Sequence, residues 1–291
     1  MTRSYLFVPG DSERKLQKAA DCGADALIVD LEDSVEAAAK PRARQLAADY
    51  LGSRGDAQVW VRINPADSAE AQADLRAVMP SAPQGIVVPK AGRAGDLIEL
   101  AAMLDALEQQ HGHAPGSTML LPIATERPAA LFYLHEYANC TPRLAALTWG
   151  AEDLSAALGA AAVRDDTGHW LPPYALARSL CLFAAAAAGV PAVDTVFTDF
   201  GDLKGLAASA CAARRDGFSG MLAIHPAQVA VINEAFAPSV AEIERAQRIV
   251  DLFAANPGAG ALGMDGEMLD RPHWLRARKV LEIAGRAQPG D

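Results

Sequence analysis

The sequence predicts a (β/α)8 barrel of the TIM type, followed by an extra C-terminal helical segment. Eight short apolar runs lie between residues 5 and 225, and they show little of the polar alternation typical of half-exposed strands, as parallel strands buried on both faces require. Segments rich in Ala and Leu with helical periodicity separate these runs. A chain of 291 residues with 51% hydrophobic content can fill one barrel core. A doubly wound open sheet is the alternative architecture.

The predicted strands follow one another at regular intervals along the chain. They cover residues 5–8, 26–30, 59–63, 86–90, 119–124, 144–149, 192–197 and 220–225. Intervening helices are expected at 13–22, 94–110 and 203–215, among others. The barrel pattern is complete at residue 237, so residues 1–237 are predicted to form the barrel domain. Residues 238–291 are predicted to form a C-terminal extension, with a Gly- and Pro-rich linker over 256–272 and a helix over 273–284 that packs on a neighbouring subunit.

Charge and hydropathy exclude several classes of partner. A formal net charge of −10 and the lack of a basic stripe argue against a nucleic-acid partner. No apolar run reaches the roughly 18–20 residues of a membrane span, and the N-terminus lacks a secretory signal, so a cytoplasmic protein without a membrane partner is expected. The four cysteines are far apart and show no metal-binding spacing, which favours buried thiols.

Charged and polar side chains follow almost every predicted strand. In a barrel these positions meet at one end, which we call the barrel mouth, where barrel enzymes carry out their chemistry. The acidic positions are Asp30, Glu32, Asp33, Glu126, Glu152, Asp153, Asp194 and Asp199, and the others are Arg62, Asn64, Lys90 and His225. So many carboxylates repel one another unless a cation lies among them, and their oxygens suit Mg²⁺ or Mn²⁺. The pattern therefore predicts a divalent metal beside Arg62, whose guanidinium would bind a substrate carboxylate.

Each of these positions also has a structural interpretation. Asp153 could cap the helix that begins at Leu154, and Glu126 could favour the dipole of a helix near Pro128. Arg62 and Lys90 could form salt bridges at the mouth, and His225 could be a packed loop histidine. Capping explains one acid at a time, but it does not explain acids after strands two, five, six and seven together.

Nine segments of the chain, in order, carry a family resemblance. They are SYLFVPGD (4–11), DALIVDLEDSV (25–35), VRIN (61–64), VVPKA (87–91), IATERP (123–128), WGAEDLS (149–155), DTVFTDF (194–200), IHPAQV (224–229) and GEMLDRP (266–272). Together they resemble the citrate lyase β-subunit group of the HpcH/HpaI aldolase superfamily. The resemblance implies a (β/α)8 barrel, a requirement for Mg²⁺, and cleavage or formation of a carbon–carbon bond between an acyl-CoA thioester, such as citryl-, malyl- or citramalyl-CoA, and an α-keto acid. It also implies a homotrimer.

The resemblance assigns roles to particular residues. Glu126 and Asp153 match the metal ligands, and Glu32 and Asp33 match acids that reach the metal's waters. Arg62 matches the group that binds the substrate carboxylate.

Other substrate-binding positions lie close to the predicted metal. The backbone N–H groups of Gly150 and Ala151 are expected at a helix N-terminus suited to a carboxylate. Lys90 is expected to contact substrate rather than to form a Schiff base, because the metal supplies the electrophile. Asp270 matches an acid given to a neighbouring chain's site, where a carboxyl of raised pKa would perform acid–base catalysis.

The loop over residues 159–173 departs from the family pattern, so the acyl group stays open. Two other functions also stay open. One is a metal-dependent aldolase for free hydroxy-keto acids, and the other is a non-catalytic, ligand-sensing subunit.

Overall fold

The computed structural model describes residues 1–55 and 57–285, and its contacts divide the chain into two compact units. The first unit spans Thr2–Ala235 and contains the parallel strands. The second unit begins at Phe236. No described helix is both long enough and apolar enough to cross a bilayer.

The first unit is an eight-stranded parallel barrel. Its strands are β1 (Ser4–Pro9), β2 (Ala26–Asp30), β3 (Val59–Arg62), β4 (Gly85–Val88), β5 (Met119–Pro122), β6 (Leu147–Thr148), β7 (Ala192–Asp194) and β8 (Gly220–Ala223). The helices are α1 (Glu13–Ala20), α2 (Lys40–Ser53), α3 (Ala69–Val78), α4 (Ala94–His111), α5 (Ala151–Leu158), α6 (Pro172–Ala188), α7 (Leu203–Asp216) and α8 (Pro226–Phe236). Each strand pairs in parallel with its sequence neighbour from β1 to β5 and from β6 to β8, and β1 also pairs with β8.

The barrel closes between β5 and β6 through isolated bridges rather than a continuous ladder. Leu120 is bridged to Leu144 and Ile123 to Thr148, and the Ala124 N–H donates to the Thr148 carbonyl at 2.8 Å. We call this joint the β5/β6 seam. The predicted (β/α)8 barrel is therefore confirmed, and the open-sheet alternative is wrong.

Large side chains fill the barrel interior. Tyr5, Ile28, Trp60 and Leu121 belong to one buried cluster, in which the Tyr5 and Trp60 rings meet edge to face with centroids 6.3 Å apart. A Cβ at Gly85 would lie 2.3 Å from the Trp60 ring, so only glycine leaves room for that indole on the adjacent strand. The core is thus packed with side chains and contains no pore.

The connections between strands differ from simple helices at several points. Two 3-10 turns, Pro128–Phe132 and Leu134–Tyr137, follow β5, and shorter ones lie at Ala37–Ala39 and Met79–Ser81. Both α5 and α6 lie between β6 and β7, separated by the loop that departs from the family pattern.

The second unit contains a hairpin where a linker was expected. It consists of α9 (Val240–Ala254), the antiparallel strands β9 (Ala261–Met264) and β10 (Glu267–Asp270), and α10 (Arg271–Ile283). Asp265 and Gly266 connect the strands with φ values of 53° and 80°. Positive φ at both turn residues is what a two-residue hairpin needs, and Asp-Gly is its usual sequence.

The apolar side of α10 packs within its own unit. Ala277 and Leu281 are buried in one cluster with Ala246 and Ile249 of α9. Leu275, in the same helix, is half exposed. The burial of this helix therefore does not by itself require a neighbouring subunit.

A buried ion pair ties α4 to the segment before β6. Arg143 donates from Nη1 to Glu108 Oε1 at 2.8 Å and from Nη2 to Glu108 Oε2 at 2.6 Å, and both side chains are nearly inaccessible to solvent. Burial raises the pKa of Glu108, but the hydrogen bonds from Arg143 and from the Thr118 and Gly116 N–H groups outweigh it, so the pKa falls to about 2. The stabilisation is complete above the carboxyl's ordinary pKa and is lost as the pH falls through about 2.

We expect Arg143→Ala to lower the free energy of unfolding by about 3–5 kcal/mol at neutral pH, because it leaves the Glu108 carboxylate buried without its partner. Urea denaturation measures the change. Asp67→Ala, which breaks the exposed Arg127–Asp67 pair, is the control and should cost about 1 kcal/mol or less. Equal losses in the two variants would contradict this assignment.

Candidate active site

Residues at the ends of seven strands meet around a cavity at the barrel mouth. The cavity has a volume of about 280 Å³, and Asp30, Arg62, Glu126, Asp153 and Trp149 contribute to its wall. The parallel strands bring their carboxyl ends to this same side, which is why positions distant in sequence lie together.

Glu126 follows β5 and is 4% exposed. Its Oε2 accepts a hydrogen bond from the backbone N–H of Lys90. Burial raises the pKa of Glu126 to about 8, with further contributions from the Asp153 and Glu32 charges, although the Lys90 N–H acts in the opposite direction. A Cβ at position 150 would lie 2.6 Å from Glu126 Cγ. Gly150 therefore provides the space that Glu126 occupies.

Asp153 lies in the first turn of α5 and is partly exposed. The helix begins at Ala151, with Gly150 as its N-cap, so the interpretation of Asp153 as an N-cap is wrong. Its Oδ1 lies 3.5 Å from Lys90 Nζ. Gly150, expected to offer its N–H to substrate, donates it to Thr125 Oγ1 at 3.2 Å. A ligand at this helix end would therefore meet N–H groups from Ala151 onward.

Lys90 places its ammonium group among three carboxylates. Nζ donates to Glu32 Oε1 and lies 3.4 Å from Asp33 Oδ1, in addition to its contact with Asp153. Burial lowers the pKa of Lys90, but the hydrogen bond to Glu32 and the neighbouring charges outweigh it and raise the pKa above its ordinary value. An ammonium held in its charged form is a poor nucleophile, which argues against a Schiff base.

Arg62 is held by Asp30, the last residue of β2. Nε and Nη2 each donate to one Asp30 oxygen at 2.7 Å, and the guanidinium carbon lies 4.7 Å from the Phe7 ring centroid. Burial lowers the pKa of Arg62, but the carboxylates of Asp30 and Glu32 outweigh it and raise the pKa. Asp30 thus occupies the Nε–Nη2 edge of the Arg62 guanidinium. Nη1, which lies 3.1 Å from Glu32 Oε2, is at the end of the guanidinium that remains for a substrate.

Glu32 is buried and Asp33 is exposed, although the two are adjacent in sequence. Burial raises the pKa of Glu32 despite the nearby cations Arg62 and Lys90. Its Oε2 makes the ionic contact with Arg62 but accepts no hydrogen bond from the described residues. This oxygen therefore retains an unused lone pair at the mouth.

Three other predicted positions have structural roles. Asp194 is buried and accepts hydrogen bonds from Trp149 Nε1 at 2.6 Å and from Arg178. Asp199 accepts the N–H groups of Gly201 and Asp202 in an exposed turn. His225 is exposed and stacks on Phe200 with centroids 5.1 Å apart.

Asp270 belongs to the second unit. It is the N-cap of α10, and its Oδ1 lies 2.5 Å from His273 Nδ1. This hydrogen bond lowers the pKa of Asp270, so the expectation of a raised pKa is wrong for the single chain.

The donor set at the mouth fits Mg²⁺ better than a softer metal. All candidate donors are carboxylate oxygens, and the buried Glu126 and the unpartnered Glu32 oxygen would both be stabilised by a cation. Within residues 1–55 and 57–285 no three His, Cys, Asp or Glu side chains form a preassembled metal site. Two protein carboxylates would leave the other coordination positions of Mg²⁺ open for water and substrate, and Mg²⁺ in proteins usually keeps several waters.

Sequence reasoning placed Asp30 at the mouth but missed that it orients Arg62. The signal was present, because an acid ending an entirely apolar strand is expected to be buried and then needs a cationic partner. No sequence pattern indicated the contact of Thr125 with the Gly150 N–H or the contact of Lys40 with the Glu32 carbonyl.

Comparison with known protein families gives one match over most of the chain. Residues 3–226 match the family described as HpcH/HpaI aldolase/citrate lyase. The citrate lyase subunit beta of Leuconostoc mesenteroides subsp. cremoris is 32% identical over 291 residues, covering 98% of this chain and 93% of that protein. A (3S)-malyl-CoA thioesterase of Cereibacter sphaeroides is 36% identical over 290 residues, covering 97% and 94%.

A solved structure supports the same relationship. Protein CitE of Mycobacterium tuberculosis, in complex with magnesium, acetoacetate and coenzyme A, superposes with a TM-score of 0.81 and 32% identity, covering 98% of each chain.

We expect Gly150→Ala to lower the free energy of unfolding by about 1–3 kcal/mol, because the new methyl group overlaps the buried Glu126 side chain. Gly52→Ala in α2 is the control. A Cβ there meets no atom within 4 Å, and the substitution should stabilise the protein by about 0.4–1 kcal/mol. A Gly150→Ala variant as stable as the wild type in urea would contradict the proposed role of Gly150.

Proposed function

The chain belongs to the HpcH/HpaI aldolase/citrate lyase family, and we propose that it is a Mg²⁺-dependent lyase that cleaves or forms a 3-hydroxyacyl-CoA thioester. Its products in the cleavage direction would be an acyl-CoA and an α-keto acid, as with citryl-, malyl- or citramalyl-CoA. The observation that supports the proposal is that Glu126, which is buried, lies beside Asp153 and Arg62 around one cavity. The M. tuberculosis complex with magnesium, acetoacetate and coenzyme A supports the ligand classes.

Glu126 and Asp153 would hold the metal, and Glu32 and Asp33 would bind its waters. Mg²⁺, or Mn²⁺ in its place, would supply a Lewis acid that polarises the substrate's hydroxyl and carboxylate oxygens. Lys90 contributes a fixed positive charge beside Asp153, which limits the repulsion among the acids. The carboxylates are then held close together before a ligand arrives.

Arg62 and the start of α5 would bind the keto acid carboxylate. Asp30 fixes one edge of the Arg62 guanidinium, so the Nη1 end is held in a constant direction. The N–H groups from Ala151 onward add the partial positive charge of a helix N-terminus. The keto acid is thus oriented while the thioester occupies the open side of the mouth.

A proton must move at the carbon next to the thioester carbonyl. In the condensation direction a base removes it, and in the cleavage direction an acid returns it. Asp270 of a neighbouring chain in a homotrimer is our candidate. In the single chain the lowered pKa of Asp270 keeps its carboxyl ionised but makes it a weak base. The hydrogen bond to His273 must therefore weaken for this carboxyl to serve as base or as acid.

Hydrolysis of the same thioester is a second candidate function, because one relative of this chain is described as a (3S)-malyl-CoA thioesterase. Hydrolysis and carbon–carbon cleavage give different products. A thioesterase releases free CoA and a hydroxy acid, whereas a lyase releases a keto acid and leaves the thioester intact.

The test is a panel of malyl-, citramalyl- and citryl-CoA with Mg²⁺, in which keto acid and free thiol are followed separately. We expect keto acid without free thiol.

We also expect Glu126→Gln and Asp153→Asn to lose Mg²⁺ binding in calorimetry together with turnover, because each removes a charged metal ligand.

Asp49→Asn, which changes an exposed acid on α2, is the matched control and should bind Mg²⁺ like the wild type. Free thiol without keto acid would identify a thioesterase, and turnover of free hydroxy-keto acids without CoA would identify an aldolase of that class. Mg²⁺ binding by either ligand variant at wild-type affinity would refute the ligand assignment.

We further expect activity to return when two inactive variants share one oligomer. Arg62→Ala and Asp270→Asn should each be nearly inactive alone. After mixing, dissociation and reassembly, some sites combine an intact Arg62 from one chain with an intact Asp270 from another. Mixed oligomers, verified by differential tagging, that remain inactive would show that Asp270 does not act on a neighbour.

A further inference from the structure

We propose that Lys40 and Asn64 are positioning residues that fix the backbone carrying Glu32 and Asp33, and thereby set the affinity for the divalent cation. The inference rests on the proposed function, because it concerns acids assigned to the metal's waters. Neither side chain contributes to the wall of the 280 Å³ cavity. Both act on the backbone behind the acids.

Lys40, the first residue of α2, directs its ammonium group at three acceptors. Nζ donates to the Leu31 carbonyl at 3.0 Å, to the Glu32 carbonyl at 3.2 Å and to Asn64 Oδ1 at 2.6 Å. The charge of a helix-starting lysine is unfavourable for the helix dipole. Its position is therefore explained by the carbonyl groups it binds and not by helix stability.

Asn64, which follows β3, completes the contact from the other side. Its Nδ2 donates to the Leu31 carbonyl at 3.0 Å and to Asp74 Oδ2 at 2.7 Å, and its backbone N–H donates to the same Asp74 oxygen at 2.8 Å. Asp74 is fully buried and also accepts from Arg44 Nε at 2.7 Å. The amide is therefore held rigidly, with its orientation set by Asp74.

The loop of residues 31–34, which carries Glu32 and Asp33 and which we call the acid loop, is therefore bound through both its N–H and its C=O groups. The Glu32 and Ser34 N–H groups each donate to Asp30 at 3.0 Å, while the Leu31 and Glu32 carbonyls accept from Lys40 and Asn64. A short turn with both its N–H and its C=O groups bound has little freedom to rotate. Loss of Lys40 would leave the Leu31 carbonyl with Asn64 Nδ2 alone and the Glu32 carbonyl with the Val35 N–H alone, which loosens the turn that directs Glu32 to the mouth.

The test is Mg²⁺ titration calorimetry of the full-length protein. We expect Lys40→Met to weaken Mg²⁺ binding about 10-fold, the lower end of the effect of losing a residue that orients metal ligands, because Lys40 positions acids that bind the metal's waters. Lys40→Gln, whose amide can still donate to one carbonyl, should give a smaller loss and serves as a milder variant if Lys40→Met does not fold. The kcat of Lys40→Met should also be lower than that of the wild type at saturating Mg²⁺, because Glu32 is misplaced.

Arg54 is the matched control, because it too donates to three backbone carbonyls from α2's C-terminal end, those of Leu51, Ser81 and Ala82. Arg54→Met should lower the melting temperature and leave Mg²⁺ affinity unchanged. If Lys40→Met and Lys40→Gln bind Mg²⁺ like the wild type, the inference is wrong. If the wild type binds no Mg²⁺, the metal assignment fails first and the inference fails with it.

Discussion

The ion pair between Asp30 and Arg62 is the interaction on which the mouth of the barrel depends. Asp30 is 1% exposed, and burial alone would raise the pKa of its carboxyl, yet the Arg62 guanidinium reverses this and lowers the pKa. The paired carboxylate then accepts the N–H groups that begin the acid loop. A single buried charge pair thus orients the Arg62 guanidinium and the turn that carries Glu32. Removing either partner would leave the other charge buried without a counterion, so the pair is stable only when both residues are present.

Buried polar networks lie at both ends of the barrel, but the elements that they connect differ. The Arg143–Glu108 pair and the Arg54 contacts lie beside strand beginnings, where they join helices to neighbouring turns. The Lys40–Asn64–Asp74 network and the Asp30–Arg62 pair lie beside strand ends. At the mouth, Glu32 keeps one oxygen that accepts no hydrogen bond from the described residues.

The fold could be predicted from sequence because strands buried on both faces leave continuous apolar runs. The hairpin at Asp265–Gly266 was missed because the high content of Gly and Pro around it was interpreted as a linker, although the dipeptide itself indicated a turn. Which acids reach the mouth could be predicted from strand ends. Three features could not be predicted: the occupied edge of the Arg62 guanidinium, the space that Gly150 leaves for Glu126, and the carbonyl groups that Lys40 reaches. Each depends on distances between elements that are remote in sequence. The pKa of Asp270 was predicted in the wrong direction, since its partner three residues onward was overlooked.

The spacing of the two candidate metal ligands depends on the β5/β6 seam. Glu126 follows β5 and Asp153 follows β6, so the two candidate ligands stand on opposite sides of the one joint held by isolated bridges. Elsewhere adjacent strands are clamped by continuous ladders, which resist spreading. The position of Glu126 relative to Asp153 therefore rests on further contacts across the seam as well as on the bridges, namely the hydrogen bond between Thr125 and Gly150 and the fit of Glu126 against Gly150.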